Sequence, residues 1–214
     1  STSSSGGYTF WPDSSPLGTR GFCSGTTCPA LWQGIGGNAA GFSGAQYIEV
    51  GNNTLYLHDG QFTLAGWIWP SSAGASTCIQ QAYGYCTLVQ PEGILGYHAG
   101  EGDAYPTLER TGLKLRFGFG TGATTPYVTT GNVLTLDAWN HVAVSYVDGI
   151  ARIYVNGLLV KEDSGTFVSN GVPYKPPLGG SLWVGRASNL ATLHVRGAHV
   201  DSEGDPGAGE LCMK

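Results

Sequence analysis

"LTLDAWNHVAVSYVDGIARIYVNGLLVKE", Leu134 to Glu162, holds two turn dipeptides, Asp148-Gly149 and Asn156-Gly157. A two-residue turn at Asp148-Gly149 sets Val147 opposite Ile150, and therefore Val144 opposite Ile153 and Val142 opposite Val155. The same rule at Asn156-Gly157 sets Val155 opposite Leu158 and Ile153 opposite Val160. Side chains alternate along a strand, so both turns gather Val142, Val144, Ile153, Val155, Leu158 and Val160 on one face. The other face carries His141, Ala143, Ser145, Arg152, Tyr154, Leu159 and Lys161, the mixed composition of a sheet side that meets water. The stretch predicts a three-stranded antiparallel meander with one packed side.

Outward from this meander, short alternating segments recur: "AQYIEV" (45–50), "FTLAGWIWP" (62–70), "LKLRFGFG" (113–120), "SLWVGRA" (181–187) and "ATLHVRGAHV" (191–200). None shows helical periodicity. In "LKLRFGFG", Leu113, Leu115, Phe117 and Phe119 share one face. In "FTLAGWIWP", Phe62, Leu64 and Ile68 oppose Trp67 and Trp69, the pattern of a central strand covered on both sides. The segment from Ser71 to Gly112 reads as a long irregular loop interrupted by the apolar "GILGYHA" (93–99). Many short strands joined by Gly-rich turns predict an all-β fold, an antiparallel two-sheet β-sandwich.

Composition agrees. Hydrophobic residues make up 41% of 214, enough for a core, while charged residues are only 12%, about half the usual share. A net charge of −5 offers no basic footprint, which argues against nucleic acid as a partner. No stretch approaches the ~20 apolar residues that span a bilayer, so membrane insertion is not expected. The start "STSSSGG" has neither an initiator Met nor a signal-peptide core, as expected of a processed product or an excised piece. One domain over residues 1–214 is the expectation, with 1–10 flexible or exchanged between copies and 201–214 an acidic tail.

Of five cysteines, Cys23 and Cys28 lie in "CSGTTC" and Cys78 and Cys86 in "CIQQAYGYC". Each pair is close enough to close a small disulfide loop. Zinc is the competing reading, but neither pair has the two-residue spacing of a zinc knuckle. Cys212 is left over: a free thiol, an intermolecular bridge, or a partner to a cysteine further along a longer chain.

"GFSGAQYIEV", "FTLAGWIWP", "LDAWNHVAVSYVDGIARIYVNGLLV" and "LWVGRA" together resemble, in order and spacing, the laminin-G-like, concanavalin A-like jelly-roll module of bacterial surface and secreted proteins. Trp67, Trp139, His141, Tyr154, Asn156 and Gly157 fall on the motif positions. The resemblance covers roughly Gly41 to Ala187; beyond it, "LATLHVRGAHVDSEGDPGAGEL" departs from the family's last strand. It implies a jelly-roll sandwich in which Trp139 and His141 belong to the framework, and an extracellular or cell-surface location.

Candidate chemistry is sparse. Glycoside hydrolases of this fold set carboxylates on alternate residues of one strand, and here Glu49, Glu92 and Glu109 stand alone, so glycosidase or lyase activity is disfavoured and no catalytic residue is assigned. The spacings G-x-S-x-G and H-E-x-x-H are absent. Hard cations need several oxygens, and "DSEGDPGAGE" brings Asp201, Glu203 and Asp205 together; with Glu101 and Asp103 of the earlier "EGD" they form a candidate calcium site, although Pro206 excludes an EF-hand loop. Asp13 and Asp59 are alternative donors. Tyr83, Tyr85, Tyr97, His98 and Tyr105, in or beside the long loop, are candidates for stacking on a sugar ring. Asn52 in "NNT" is a glycosylation acceptor pattern.

These features point to a non-catalytic extracellular binding or adhesion module whose partner is a glycan or a cell-surface protein. The alternative is a self-associating subunit of a surface layer or filament, in which "STSSSGGYTFW" or the C-terminal tail pairs with a neighbour's open sheet edge and Cys212 bridges the junction.

Overall fold

The structure, a computed structural model, describes residues 3–12, 20–42, 46–50, 61–70, 78–82, 85–89, 92–98, 106–120, 125–175, 181–186 and 210–212; at 3, 78–82, 85–89, 98 and 210–212 it describes the backbone alone. Among the described residues, twenty strands build two large antiparallel sheets and two short ribbons. One sheet has nine strands in the spatial order β1 (Ser3–Ser5), β2 (Tyr8–Trp11), β3 (Gly21–Ser24), β6 (Ile48–Val50), β19 (Ser181–Val184), β10 (Glu92–His98), β11 (Thr107–Thr111), β12 (Lys114–Gly118) and β13 (Tyr127–Asn132). The other has seven: β16 (Leu158–Asp163), β15 (Ile150–Val155), β14 (Asn140–Val147), β7 (Phe62–Trp69), β20 (Glu210–Cys212), β5 (Gly37–Gly41) and β4 (Ala30–Gly34). The ribbons are β8 (Cys78–Ala82) with β9 (Tyr85–Val89), and β17 (Val168–Ser169) with β18 (Val172–Pro173). Among the described residues no helix is long and apolar enough to cross a membrane.

The meander has the register its turns dictate. Val142 lies opposite Val155, Val144 opposite Ile153 and Val147 opposite Ile150. Both residues of each turn, Asp148-Gly149 and Asn156-Gly157, have positive φ, the conformation that matches the twist of the flanking strands. Gly6-Gly7 and Asn170-Gly171 are two further turns of this kind, and they make the β1–β2 and β17–β18 hairpins.

Inward-facing side chains of the two sheets meet in one core. Leu108, Leu115, Phe117 and Phe119 from the nine-stranded sheet pack against Leu64, Ile68, Val142, Val144, Tyr146 and Ile153 from the seven-stranded one, all buried. Phe167 stacks on Phe119 with ring centroids 4.5 Å apart, and the Tyr146 hydroxyl donates to the Tyr174 carbonyl. The buried Arg110 and Glu92 form an ion pair on the same side of the sheet as Leu108 and Leu115, so part of this interior is ionic.

Two expectations are corrected, and both ends of the chain contribute strands. Leu158 lies opposite Val155 as its turn dictates but is 71% exposed, on the edge strand β16; beyond it a bulge sets Lys161, not Val160, opposite Ile153. An extra residue at an edge breaks the flat ladder a neighbouring chain would extend. Val160 still packs on the core. The stretch from 71 to 112 is not one irregular loop but contains β8, β9, β10 and β11. Of the first residues, Ser3–Ser5 pairs with Tyr8–Trp11 in the β1–β2 hairpin, with Ser4 opposite Thr9. Within 201–214, Glu210–Cys212 forms β20, which lies between β5 and β7.

Candidate functional site

With the core side of each strand known, alternation assigns the outward residues. On the seven-stranded sheet these are Thr63, Ala65, Trp67 and Trp69 of β7, His141, Ala143 and Ser145 of β14, and Tyr154 of β15. Trp67 lies opposite His141 and Ala65 opposite Ala143; Ala143 in turn lies opposite Tyr154, and Tyr154 opposite Leu159. The result is a shelf with an alanine floor, edged by Trp67 and His141 along the strands and by Tyr154 and Leu159 across them. Trp67, Trp69, Trp139, His141 and Tyr154 are all half-buried. Trp67 meets His141 at 5.1 Å and Trp69 meets Trp139 at 5.6 Å between ring centroids, both edge-on, a geometry aromatic quadrupoles favour.

The shelf is held from beneath. Asn140, fully buried, accepts from the Thr135 amide (3.0 Å) and donates to the carbonyls of Thr135 and Ala138, both at 2.8 Å; it thereby ties down the loop that presents Trp139. The Asp137 amide donates to the Pro70 carbonyl at 2.8 Å. At the other end, the Asn156 side chain accepts from the His141 amide at 2.9 Å, and the Asn156 amide donates to the His141 carbonyl at 2.8 Å. Trp139 and His141 therefore serve the framework and edge the shelf at once.

On the outer face of the nine-stranded sheet, Tyr47 and Glu49 alternate with inward Ile48 and Val50, and Ser181 and Trp183 with Leu182 and Val184. Trp183 lies opposite Glu49, and the Ser181 hydroxyl donates to Glu49 Oε1 at 2.7 Å. The Tyr47 and Trp183 rings are 5.1 Å apart. Further along, the fully buried Glu109 pairs with Arg116, whose guanidinium lies 4.2 Å over the Tyr127 ring. Burial raises the Glu109 carboxyl above its usual range, while Arg116 pulls the other way. Among the described residues Glu109 Oε1 has no hydrogen-bond partner. Glu49 and Glu109 share this face but are three strands apart, roughly 14 Å at the usual strand spacing. Each faces its own partner, so they do not form the closely paired carboxylates of a glycosidase.

Cys23 and Cys28 are joined by a disulfide across the 3-10 turn Gly25–Thr27, at the passage from β3 to β4. Cys78 lies opposite Val89 and Cys86 opposite Gln81 in the β8–β9 ribbon. Cys212 lies opposite Trp67 in β20. Tyr97 sits in the core, 5% exposed, where burial raises its hydroxyl pKa; its ring has no open face for a sugar. Tyr85 falls in β9 and His98 in β10. Tyr83, Tyr105, Asn52, Asp13 and Asp59 lie outside the described residues, as do Glu101, Asp103, Asp201, Glu203 and Asp205. Among the described residues no three His, Cys, Asp or Glu side chains gather for a metal. The outward signal for Tyr47 and Trp183 was present in "QYIEV" and "SLWV", but their pairing joins strands far apart in sequence.

Residues 42–198 match the laminin G model of the concanavalin A-like lectin/glucanases superfamily. The chain belongs to this family. No curated protein matches the sequence. The laminin-G-like sandwich is similar to the binding domain of Paraclostridial Mosquitocidal Protein 1, with a TM-score of 0.62 and 12% identity over 98% of this chain and 46% of that one. It is also similar to the binding domain of botulinum neurotoxin serotype G (TM-score 0.59, 13% identity, 94% and 43% covered). A third similar structure is Trypanosoma rangeli sialidase in complex with the inhibitor DANA (0.55, 16%, 98% and 28%). At these identities the likeness is one of fold, and the chain spans less than half the length of each.

Proposed function

We propose that the laminin-G-like chain is a non-catalytic extracellular module that binds glycan on the shelf of the seven-stranded sheet. The observation that carries this reading is the set of half-buried rings, Trp67, Trp69, Trp139, His141 and Tyr154, fixed around the short side chains of Ala65 and Ala143. Ring faces accept the C–H surface of a pyranose, and the alanine floor leaves room for one. Fold likeness to two toxin binding domains supports a binding role, and the Cys23–Cys28 disulfide supports an oxidising compartment.

Neutral oligosaccharides arrayed with and without calcium test the reading. Wild-type chain is expected to bind, and Trp139→Ala and Tyr154→Ala to weaken binding about five- to tenfold each, the scale of one aromatic contact, with circular dichroism unchanged. Calcium dependence would implicate the acidic donors at 101–103 and 201–205. Silence on every neutral glycan in both conditions would overturn it.

A further inference from the structure

The nine-stranded sheet carries a cation, Arg186, that is paired with no carboxylate among the described residues. Arg186 follows Gly185, whose positive φ of 83° turns the chain off β19. A Cβ on Gly185 would come within 2.6 Å of the Phe42 ring, and the Gly185 amide donates to the Ile94 carbonyl at 2.9 Å, so this turn is closely held. It delivers the Arg186 guanidinium 4.4 Å over the Trp183 ring and 4.9 Å over the Tyr47 ring. Tyr47 is itself held by its amide, which donates to the Thr27 carbonyl at 2.9 Å. Aromatic faces stabilise a guanidinium without using its N–H groups. Among the described residues, no carboxylate pairs with Arg186 and none of its N–H donors is engaged by an acceptor. A planar fork of donors is thus held against two rings with its N–H edge unclaimed among the described residues, the arrangement that grips an oxyanion through two parallel hydrogen bonds.

The neighbours narrow the ligand. Glu49 lies beside Trp183 and uses Oε1 to accept from Ser181; among the described residues its other oxygen has no partner. One cation beside one carboxylate is locally neutral, and the chain carries −5 overall, so polyanions such as nucleic acid or an anionic membrane are repelled. What fits is a ligand with a single negative group and several hydroxyls on a ring. We propose that Arg186, Tyr47 and Glu49 form a second site, separate from the shelf, that recognises an acidic sugar residue through its carboxylate or sulfate.

Three sets of oligosaccharides of matched length, glucuronate-terminated, mono-sulfated and neutral, titrated into the full chain by calorimetry, test this. The acidic sugars are expected to bind at least about tenfold more tightly than the neutral ones, and to weaken as salt is raised. Arg186→Gln should abolish that preference and leave neutral binding unchanged. Arg186→Lys, which keeps the charge and loses the fork, should lose most of the preference for carboxylate. The comparison of glucuronate with sulfate identifies which oxyanion is read. Equal affinity for acidic and neutral sugars, an undiminished preference in Arg186→Gln with its thermal midpoint intact, or tighter binding of an acidic peptide than of either sugar would overturn the proposal. Because Trp139→Ala acts on neutral binding and Arg186→Gln on the acidic preference, either site can fail while the other stands.

Discussion

Glu109 shows what a single carboxyl costs when it is buried on the outer face of a sheet. It is fully buried, and burial raises its pKa despite Arg116. The folded state therefore holds the proton more tightly than the unfolded chain does. Stability contributed by this group is complete below the ordinary glutamate range and is lost as pH rises through the elevated folded value. In Glu109→Gln the proton-linked component disappears, so chemical denaturation from pH 4 to 7 should show a flatter decline in stability than wild type. An identical slope in the two proteins would show that Glu109 titrates normally. The sequence marks Glu109 only as an isolated carboxylate in "TLERT"; its burial depends on strands paired across the sheet, which no local pattern encodes. Arg186 was illegible for the same reason, since Tyr47, the residue before β6, meets it only through the pairing of β6 with β19.

At the scale of elements, two hairpins with one turn geometry have different tolerances. Gly149 and Gly157 both have positive φ, 86° and 81°. A Cβ at Gly149 would lie 2.6 Å from Val168 Cγ2 and 3.3 Å from Pro173 Cβ, whereas at Gly157 nothing lies within 4 Å. Gly157→Ala should thus cost only the left-handed backbone penalty, about 1–2 kcal/mol, and Gly149→Ala should cost more because the β17–β18 ribbon must also move. Urea denaturation of both variants measures the difference; equal losses would mean that the ribbon yields freely. This meander was legible because turn chemistry and alternation agree at every residue from Val142 to Val155. Legibility ended at β16, where Leu158 keeps its place opposite Val155 yet is 71% exposed at the sheet edge, and a bulge beyond it shifts the register.

For the whole molecule, the Cys23–Cys28 disulfide closes a loop with a sequence separation of 5, and it does so where the chain leaves one sheet for the other. A loop this short restricts the unfolded chain modestly, so reduction should lower stability by about 2 kcal/mol and leave the strand signal in circular dichroism intact. Loss of the sheet spectrum on reduction would give the bond a larger part than loop entropy allows. The fold class was legible at this scale because two-residue periodicity and Gly-rich turns run through most of the chain. Sheet order was not, and it has a further consequence. Because β20 is wedged between β5 and β7, the β4–β5 hairpin near the beginning of the chain joins its sheet through three residues near the other extremity. Assembly of that half must wait for an encounter between segments far apart in sequence, a closure of high contact order that favours slow maturation over rapid local zippering.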